Sequence, residues 1–271
     1  MKPAPLHKLF FIIVFSITAM VLAAQTAILP NAFSHNDYRR KRPLLDALNN
    51  GFRYVEADIY LRKGKLIVAH ILPCLKKNRT LEALYLKPLL EYVENNNQSP
   101  ELNICPLTLM IDIKSDADKT YRALLVLLEK YKSILSGYEN GQTTFRSVTI
   151  VISGHKPSES IKNCGSGYVF MDDDLRNITS YTSTDLYPIA SCKYSSLLKW
   201  KGKGKIPSAE IQRLTFYVAE AHKNGSKVRL WAAPENKVVW IELLKCNVDL
   251  INTNRLVSLR KFLTSSNTGS F

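Results

Sequence analysis

Residues 34–70 read SHNDYRRKRPLLDALNNGFRYVEADIYLRKGKLIVAH, and this stretch decides how the chain is expected to fold. Its apolar run YVEADIY carries Glu56 and Asp58 two residues apart. Successive side chains of a β-strand point to opposite faces, so these two carboxylates share one face of a strand. His35 stands near the start of the stretch and His70 at its end. Such ionisable groups are costly to bury without a cation or a substrate to balance them, which indicates a binding site rather than a core.

A second apolar run, LTLMIDIK over residues 107–114, repeats the pattern by placing Asp112 and Lys114 on one face of a strand. One such pair alone is more typical of a salt-bridged strand end. Two strands of this kind together with two histidines favour a site. Because Mg²⁺ and Ca²⁺ prefer oxygen ligands, the sequence predicts one divalent cation held by Glu56, Asp58 and Asp112. Lys114 and a protonated histidine would then suit the pocket to a phosphate.

Short apolar runs alternate with amphipathic segments along the rest of the chain, which is typical of parallel βαβ units. The predicted strands are Ala32–His35, Tyr54–Tyr60, Leu107–Lys114, Val148–Ser153, Tyr168–Met171, Tyr187–Ser191, Val228–Ala232 and Val248–Asn252, with a short extra strand over Lys65–His70. The predicted helices are Pro43–Asn49, Leu84–Glu94, Ala117–Leu135, Ser208–Asn224, Val238–Lys245 and Leu256–Leu263. Eight strands over about 240 residues predict an α/β fold of the (β/α)8 TIM-barrel type, with a doubly wound open sheet as the alternative. We expect one domain over residues 25–271, with its site where the strands end.

The N-terminal segment has the composition of a secretory signal peptide, which we assign to residues 1–24. Lys2 and Lys8 precede an apolar run from Leu9 to Ala24 that is short for a membrane span. An uncleaved anchor is the alternative. Export would make the protein secreted or periplasmic, where disulfides form. The five cysteines are an odd number without a CxxC pair, so zinc and redox motifs are not expected and the connectivity stays open.

The chain is basic, with a formal net charge of +14 and its densest positive runs at RRKR (39–42) and KWKGKGK (199–205). This balance favours anionic partners such as phosphates or an acidic membrane surface, and a solvated face is the alternative interpretation of either run. No helix-turn-helix, zinc-finger or aromatic RNA-binding signature accompanies the charge, so nucleic acid is not an expected partner. We expect a small phosphodiester or phospholipid substrate, peripheral contact with acidic membrane, and a monomer.

His35 and His70 are the predicted proton carriers, because imidazole titrates near neutral pH. One can take the proton of an attacking hydroxyl while the other donates a proton to the leaving alkoxide. The metal and Lys114 would stabilise charge on the phosphoryl oxygens during such an in-line displacement. His222 lies in a polar helix and is expected to be solvated, whereas His155 is a weaker candidate for the rim of the site.

The chain resembles a known superfamily through the pattern HN, VEADIYLRKGKLIVAH, LMIDIK and a final WAAP followed by VDLINTN. This pattern resembles that of the glycerophosphodiester phosphodiesterase and PI-PLC-like phosphodiesterase superfamily. Within the superfamily it is most similar to the secreted HNDY-type subgroup. The resemblance covers residues 31–263. It implies a PLC-like TIM barrel, a divalent cation (Mg²⁺ or Ca²⁺) and cleavage of phosphodiester bonds, with a cyclic phosphate formed if an adjacent substrate hydroxyl attacks first.

The resemblance also implies roles for individual residues. His35 and His70 correspond to the catalytic pair, and the metal ligands correspond to Glu56, Asp58 and Asp112. Lys114 matches the phosphate-side lysine, and Trp231 matches an aromatic residue near the pocket. Asn36 stands where many members carry a phosphate-binding arginine, so we expect it to contact the substrate or its phosphate and substrate choice to diverge there. The alternative function is binding of phosphorylated headgroups or an acidic membrane surface by a catalytically inactive barrel. Cleavage of nucleic acid is supported only by the positive charge of the chain.

Overall fold

Eight parallel strands form a nearly closed barrel in the computed structural model, which describes residues 27–71, 78–96, 105–180 and 185–266. The strands are β1 (Leu29–Ser34), β2 (Phe52–Arg62), β3 (Leu107–Ile113), β4 (Val148–Gly154), β5 (Val169–Asp174), β6 (Ile189–Lys193), β7 (Lys227–Trp231) and β8 (Ile251–Thr253). Each strand from β1 to β6 pairs with the next along the chain, and β8 pairs with β1. The remaining gap, between β7 and β8, is spanned by one bridge in which Leu250 N donates to Val228 O at 3.0 Å. The predicted (β/α)8 barrel is therefore confirmed, and the open sheet is excluded.

Helices connect the strands and cover the outside of the barrel, as the alternating sequence pattern predicts. They are α1 (Leu45–Leu48), α2 (Lys87–Asn95), α3 (Ala117–Leu128), α4 (Ser158–Lys162), α5 (Tyr194–Leu197), α6 (Ser208–Lys223), α7 (Lys237–Lys245) and α8 (Leu256–Ser266). Short 3₁₀ turns occupy Asp37–Arg39, Glu129–Tyr131 and Leu175–Ser180, and a π-helical turn over Glu82–Leu86 leads into α2.

The helix predicted over residues 117–135 is wrong at its C-terminal end. The α-helix stops at Leu128, because the following chain turns inward and Leu135 forms a parallel bridge with Val148 of β4. A small antiparallel sheet then forms from Gly137–Glu139, Gln142–Thr144 and Ser166–Gly167, none of which was predicted. The signal for it is the dipeptide at residues 140–141, Asn-Gly, whose two positive φ angles (49° and 77°) suit a tight hairpin.

The barrel interior is layered. Its lower layer is a cluster of apolar inward side chains from successive strands, namely Phe33, Tyr54, Met110, Val151, Phe170, Ile189 and Leu250. Two residues further along, the inward positions become polar, as at Glu56 on β2 and Asp112 on β3. The register sets Asp58 directly beside Asp112, and Asp112 beside Ser153 of β4. The apolar layer thus supports a polar layer at the carboxyl ends of the strands, where barrels of this kind carry their sites.

The predicted turn at Lys63-Gly64 is confirmed, and it returns the chain to the mouth of the barrel. Both residues have positive φ (47° and 73°), and the strand Lys65–Val68 then pairs antiparallel with β2. This hairpin places His70 at the same end of β2 as Asp58, which is why residues 12 apart in sequence meet.

The remaining expectations concern the N-terminal segment, the cysteines and membrane-spanning helices. The predicted signal peptide at residues 1–24 and Cys74 lie outside the described residues. The other cysteines, Cys105, Cys164, Cys192 and Cys246, are free thiols. Within the described ranges, no helix has the length and apolar character needed to cross a membrane.

Candidate functional site

A cavity of about 360 Å³ opens at the carboxyl ends of the barrel strands. It brings together seven of the eight residues singled out from the sequence, and only Asn36 is not among its lining. Those seven are His35, Glu56, Asp58, His70, Asp112, Lys114 and Trp231. The cavity is also lined by residues that the sequence did not single out for the site, namely Ile113, Ser153, Gly154, Asp172 and Arg229. His155, the weaker candidate for the rim, lines it as well.

Three carboxylates form the centre of the cavity. Glu56, Asp58 and Asp112 each offer one oxygen, and these three oxygens lie within 4.8 Å of one another. Each carboxylate also has an oxygen in contact with a basic group, which for Asp58 is His70. Asp112 Oδ2 lies 2.6 Å from Lys114 Nζ, and Glu56 Oε1 accepts a hydrogen bond from Arg229 at 2.9 Å. These contacts hold the three carboxylates in place in the lining of the cavity.

This cluster fits a divalent cation. Glu56 Oε2 and Asp112 Oδ1 are buried, and neither meets a hydrogen-bond donor of good geometry among the described residues. Buried carboxylate oxygens without donors are costly, and a hard cation with several oxygen ligands removes that cost. The donor set contains oxygen only, which suits Mg²⁺ or Ca²⁺ better than a thiophilic metal.

The charges around the cluster shift its titration in opposite directions. Burial opposes ionisation of Glu56, but the guanidinium of Arg229 and the ring of His35 hold its pKa below the ordinary value. Burial raises the pKa of Asp112, and its hydrogen bond from Lys114 offsets this only in part. Burial disfavours the charged form of Lys114, yet Asp112 keeps the lysine pKa above its ordinary value. Arg229 thus favours the ionised form of Glu56, whereas burial favours the protonated form of Asp112.

The HNDY sequence forms a tight turn after β1, and its residues have different contacts. His35 faces the cavity with Nε2 3.4 Å from Glu56 Oε2, and burial lowers the pKa of its imidazole. Asp37 is fully buried, where it accepts hydrogen bonds from Ser34 Oγ at 2.9 Å and from the Leu44 backbone N–H. The buried carboxylate thereby anchors the turn that carries His35.

Asn36 supports the first histidine instead of lining the cavity. Its backbone is left-handed (φ 49°), and its side-chain Nδ2 lies 2.9 Å from His35 Nδ1 and 3.0 Å from Asn254 Oδ1. Tyr38 contacts Asn36 Oδ1 with its hydroxyl, which also lies 3.0 Å from Asp58 Oδ2. The prediction that Asn36 binds phosphate is not matched by its position, because its amide is directed to the imidazole and to Asn254.

His70 forms the other imidazole of the cavity. Its Nδ1 lies 2.6 Å from Asp58 Oδ2, and its ring stacks on Tyr38 with centroids 6.4 Å apart. A carboxylate accepts and does not donate, so His70 Nδ1 carries the hydrogen of this bond. The other nitrogen, Nε2, is thus left as the atom that can exchange a proton.

Arg229 is the most important residue that sequence reasoning missed. It lies inside the barrel on β7, 3% exposed, with its guanidinium over the Phe33 ring at 4.1 Å. Nε donates to Asn252 Oδ1 at 2.9 Å, and Nη2 donates to Glu56 Oε1. Arg229 therefore separates the apolar layer from the acidic cluster and fixes one carboxylate. Its place two residues before Trp231 in an alternating strand is the signal that could have revealed it.

Gly154 and Asp172 also line the cavity, and neither was predicted from the sequence. Gly154 ends β4 with φ 72°, and a Cβ there would overlap Asp112 Oδ1. Asp172 on β5 is buried, which raises its pKa to about 7. His155 lines the cavity, in keeping with the weaker expectation for it, and its Nδ1 lies 3.0 Å from Ser115 O.

Two further sequence expectations concern residues at the two ends of the barrel. Trp231 ends β7 at the mouth of the cavity, 39% exposed, with Lys193 Nζ 5.8 Å from the centre of its ring. His222 is exposed, as expected, and its Nε2 lies 2.8 Å from Asp249 Oδ2 at the end of α6 away from the mouth. This contact accounts for the presence of His222 without a role in the site.

A family model and two similar curated relatives place the chain in the same family. A sequence model described as an AIM6-like phosphodiesterase domain matches residues 23–172, more than half of the chain. Altered inheritance of mitochondria protein 6 from Eremothecium gossypii is 31% identical over 89% of this chain and 71% of its own length. Its homolog from Arthroderma benhamiae is 26% identical over 82% of this chain and 80% of its own length.

The fold also has a counterpart among solved structures. The crystal structure of a glycerophosphodiester phosphodiesterase from Parabacteroides distasonis superimposes with a TM-score of 0.52. The match covers 89% of this chain and 98% of that one, with 13% sequence identity, so the likeness is one of fold.

Proposed function

Because the chain belongs to the AIM6-like phosphodiesterase domain family, a branch of the superfamily that its motifs resemble, we propose that it is a metal-dependent phosphoric diester hydrolase. We propose as its substrate a glycerophosphodiester or a phospholipid headgroup. The observation that supports this most directly is one cavity whose lining includes three clustered carboxylates, the imidazoles of His35 and His70, and the ammonium of Lys114. Membership of the secreted HNDY-type subgroup stays a prediction.

Glu56, Asp58 and Asp112 are the residues that would hold the cation. When bound there, a divalent ion would act as a Lewis acid that withdraws charge from the phosphoryl oxygens. Lys114 has a complementary role, because its ammonium lies 2.6 Å from Asp112 and 3.8 Å from Asp58. From that position it can donate a hydrogen bond to a phosphoryl oxygen and offset charge that develops on it.

The two imidazoles supply the proton transfers. His70 is oriented by Asp58, so its Nε2 exchanges a proton with the substrate. His35 is oriented by Asn36 and Asn254, which lie on its Nδ1 side and leave Nε2 toward the cavity. One ring takes the proton from the attacking hydroxyl or water, and the other donates a proton to the leaving oxygen. If the attacking hydroxyl belongs to the substrate, the first product is a cyclic phosphate.

The test is a substrate screen with purified protein in Mg²⁺, in Ca²⁺ and in EDTA. Glycerophosphocholine, phosphatidylinositol, sphingomyelin and lysophosphatidylcholine are the substrates, and ³¹P NMR distinguishes a cyclic phosphate from a hydrolysed monoester. We expect turnover of at least one substrate, abolished by EDTA. His35→Asn and His70→Asn should each reduce the rate by about 10²–10⁴-fold, the range for loss of an acid–base group.

His222→Asn is the matched control, because His222 is also paired with an aspartate but lies at the opposite end of the barrel. It should leave the rate unchanged. The proposal fails if no substrate turns over with either metal, or if the His35 and His70 variants are as active as the His222 variant.

An inactive barrel that binds phosphorylated headgroups remains the alternative, and the same protein decides between the two. Calorimetry with glycerophosphocholine and with inorganic phosphate measures affinity independently of turnover. Saturable binding without a product in any condition would favour the binding module. Binding accompanied by turnover that both histidine variants lose would favour the enzyme.

We also propose that the protein is exported, with residues 1–24 removed as a signal peptide. The support is the basic start and the apolar run from Leu9 to Ala24. N-terminal sequencing of the mature protein is the test. A mature N-terminus near residue 25 is expected, whereas a retained Met1 would contradict the proposal.

A further inference from the structure

The loop between α5 and α6, residues 198–207, carries four lysines within seven positions (199–205), and none of them lines the cavity. We call it the lysine loop. Lys199, Lys201, Lys203 and Lys205 are all exposed, and none of them takes part in an ion pair among the described residues. No acidic residue occurs in the loop. It therefore presents four uncompensated positive charges on one short segment.

The loop is held in place by contacts of its own. Trp200 is buried, and its Nε1 donates to Lys203 O at 3.0 Å while its carbonyl oxygen accepts from the Tyr194 hydroxyl at 2.7 Å. The backbone N–H groups of Lys199 and Trp200 both donate to Glu210 Oε2. The one nearby carboxylate is thus occupied by backbone, and the lysines are presented by an ordered segment that loses little entropy on binding a surface.

The loop lies at the same end of the barrel as the cavity. It follows β6, and connections that follow barrel strands lie at the carboxyl end. Gly202 packs against the start of α7, where a Cβ would come 3.0 Å from Asn236 Oδ1. Asn236 follows shortly after Trp231 in the chain. Trp231 is 39% exposed at the mouth of the cavity. Ile71, next to His70 on the other side of the mouth, is 72% exposed.

The opposite end of the barrel is different. Four lysines at or just after the ends of helices there are each paired with a glutamate. The pairs are Lys130–Glu82, Lys132–Glu129, Lys223–Glu220 and Lys245–Glu242. At the mouth end, by contrast, a group of unpaired lysines occurs together with exposed apolar side chains, the combination by which a protein lies against anionic lipid.

We propose that the lysine loop docks the mouth of the barrel onto an anionic lipid bilayer, with Ile71 and Trp231 at the lipid surface. The partner is a membrane and not a nucleic acid, because the loop's one aromatic residue, Trp200, is buried, and Trp231 by itself does not form the series of exposed aromatic side chains on which successive bases stack. Docking would turn the cavity toward lipid headgroups. The inference does not depend on hydrolysis, since the lysine loop is not part of the cavity lining.

The experiment is flotation of the mature protein, residues 25–271, in EDTA with vesicles of phosphatidylcholine alone and of phosphatidylcholine mixed with phosphatidylserine. We expect binding to the mixed vesicles only, weakened by salt. Each lysine near an anionic surface contributes roughly fivefold to partitioning. The variant K199Q/K201Q/K203Q/K205Q should therefore lose about 25-fold if two lysines contact lipid at once and about 600-fold if all four do.

The control variant K130Q/K132Q/K223Q/K245Q carries the same change in net charge at the other end and should bind vesicles nearly as well as the wild type. Equal loss in both variants, or no binding of the wild type to anionic vesicles, would overturn the proposal. Tighter binding of single-stranded RNA than of the vesicles, lost in the lysine-loop variant, would overturn it in favour of nucleic acid. Activity on soluble glycerophosphocholine should be unchanged in both variants, so failed docking and failed hydrolysis are separate results.

Discussion

Replacing Arg229 by methionine should destabilise the protein, because it leaves Glu56 buried without its cationic partner. Both side chains are 3% exposed, and Arg229 Nη2 lies 2.9 Å from Glu56 Oε1. Two unit charges about 4 Å apart attract by roughly 4 kcal/mol at an effective dielectric constant of about 20. Breaking a buried pair from one side costs about 3–5 kcal/mol, and methionine retains most of the volume.

The assay is urea unfolding followed by circular dichroism at pH 8, in EDTA so that no cation compensates the acids. A loss of about 3–5 kcal/mol is a large part of the roughly 5–15 kcal/mol that stabilises a folded domain, but it leaves a folded protein to measure. At about 2–4 °C per kcal/mol for a protein of this size, thermal unfolding should shift downward by about 10 °C.

A second substitution tests the cause. In the wild type, Glu56→Gln takes the partner from Arg229 and should be destabilising. In the Arg229→Met background, the same change removes an unpaired buried charge and should be stabilising. The reasoning is refuted if Glu56→Gln has the same sign in both backgrounds, or if Arg229→Met costs less than about 1 kcal/mol.

Three further outcomes are expected. Gly154→Ala should weaken binding of Mg²⁺ or Ca²⁺ in calorimetry, because the added Cβ displaces Asp112 Oδ1 and strains a backbone at φ 72°; unchanged affinity would contradict this. Asp172 has a pKa raised to about 7 by burial, so its neutral form is favoured on folding and stability is lost as pH rises from about 4 through 7. Asp172→Asn in EDTA should therefore raise stability at pH 8 by about 4 kcal/mol and leave it unchanged near pH 4, and a gain of equal size at both pH values would exclude titration as the cause. Mg²⁺ or Ca²⁺ should raise the unfolding temperature of the wild type, and this shift should vanish in Asp58→Asn; an equal shift in both proteins would locate the bound ion elsewhere.

The barrel and the centre of the site could be predicted because both follow from local patterns. Alternation along β2 puts Glu56 and Asp58 on one face, and the run ending in Asp112 and Lys114 repeats that arrangement on the neighbouring strand. Parallel strands joined by helices bring their carboxyl ends to one rim, so these residues meet without any knowledge of distant contacts. The turn at residues 63–64 likewise brings the second histidine back to that rim.

The remaining features depend on contacts between distant parts of the chain. Arg229 meets Glu56 across 173 residues of sequence, and alternation in the KVRLW segment puts Arg229 on the face of Trp231 but does not show which acid it pairs with. The end of α3 is set by Leu135 pairing with β4, although the helical pattern continues past it. Asn36 in the sequence suggests a substrate contact, but its left-handed backbone turns the amide to His35.

The sequence alone determined the fold class and the residues that line the mouth, because side-chain alternation and helix periodicity are properties of neighbouring residues. Only the tertiary structure decided which group compensates each buried charge, which carboxylate oxygens stay open, and that the lysines of residues 199–205 share the end of the barrel with the cavity. Those facts depend on strand register around a closed barrel, which a long-range set of contacts fixes and local sequence does not encode.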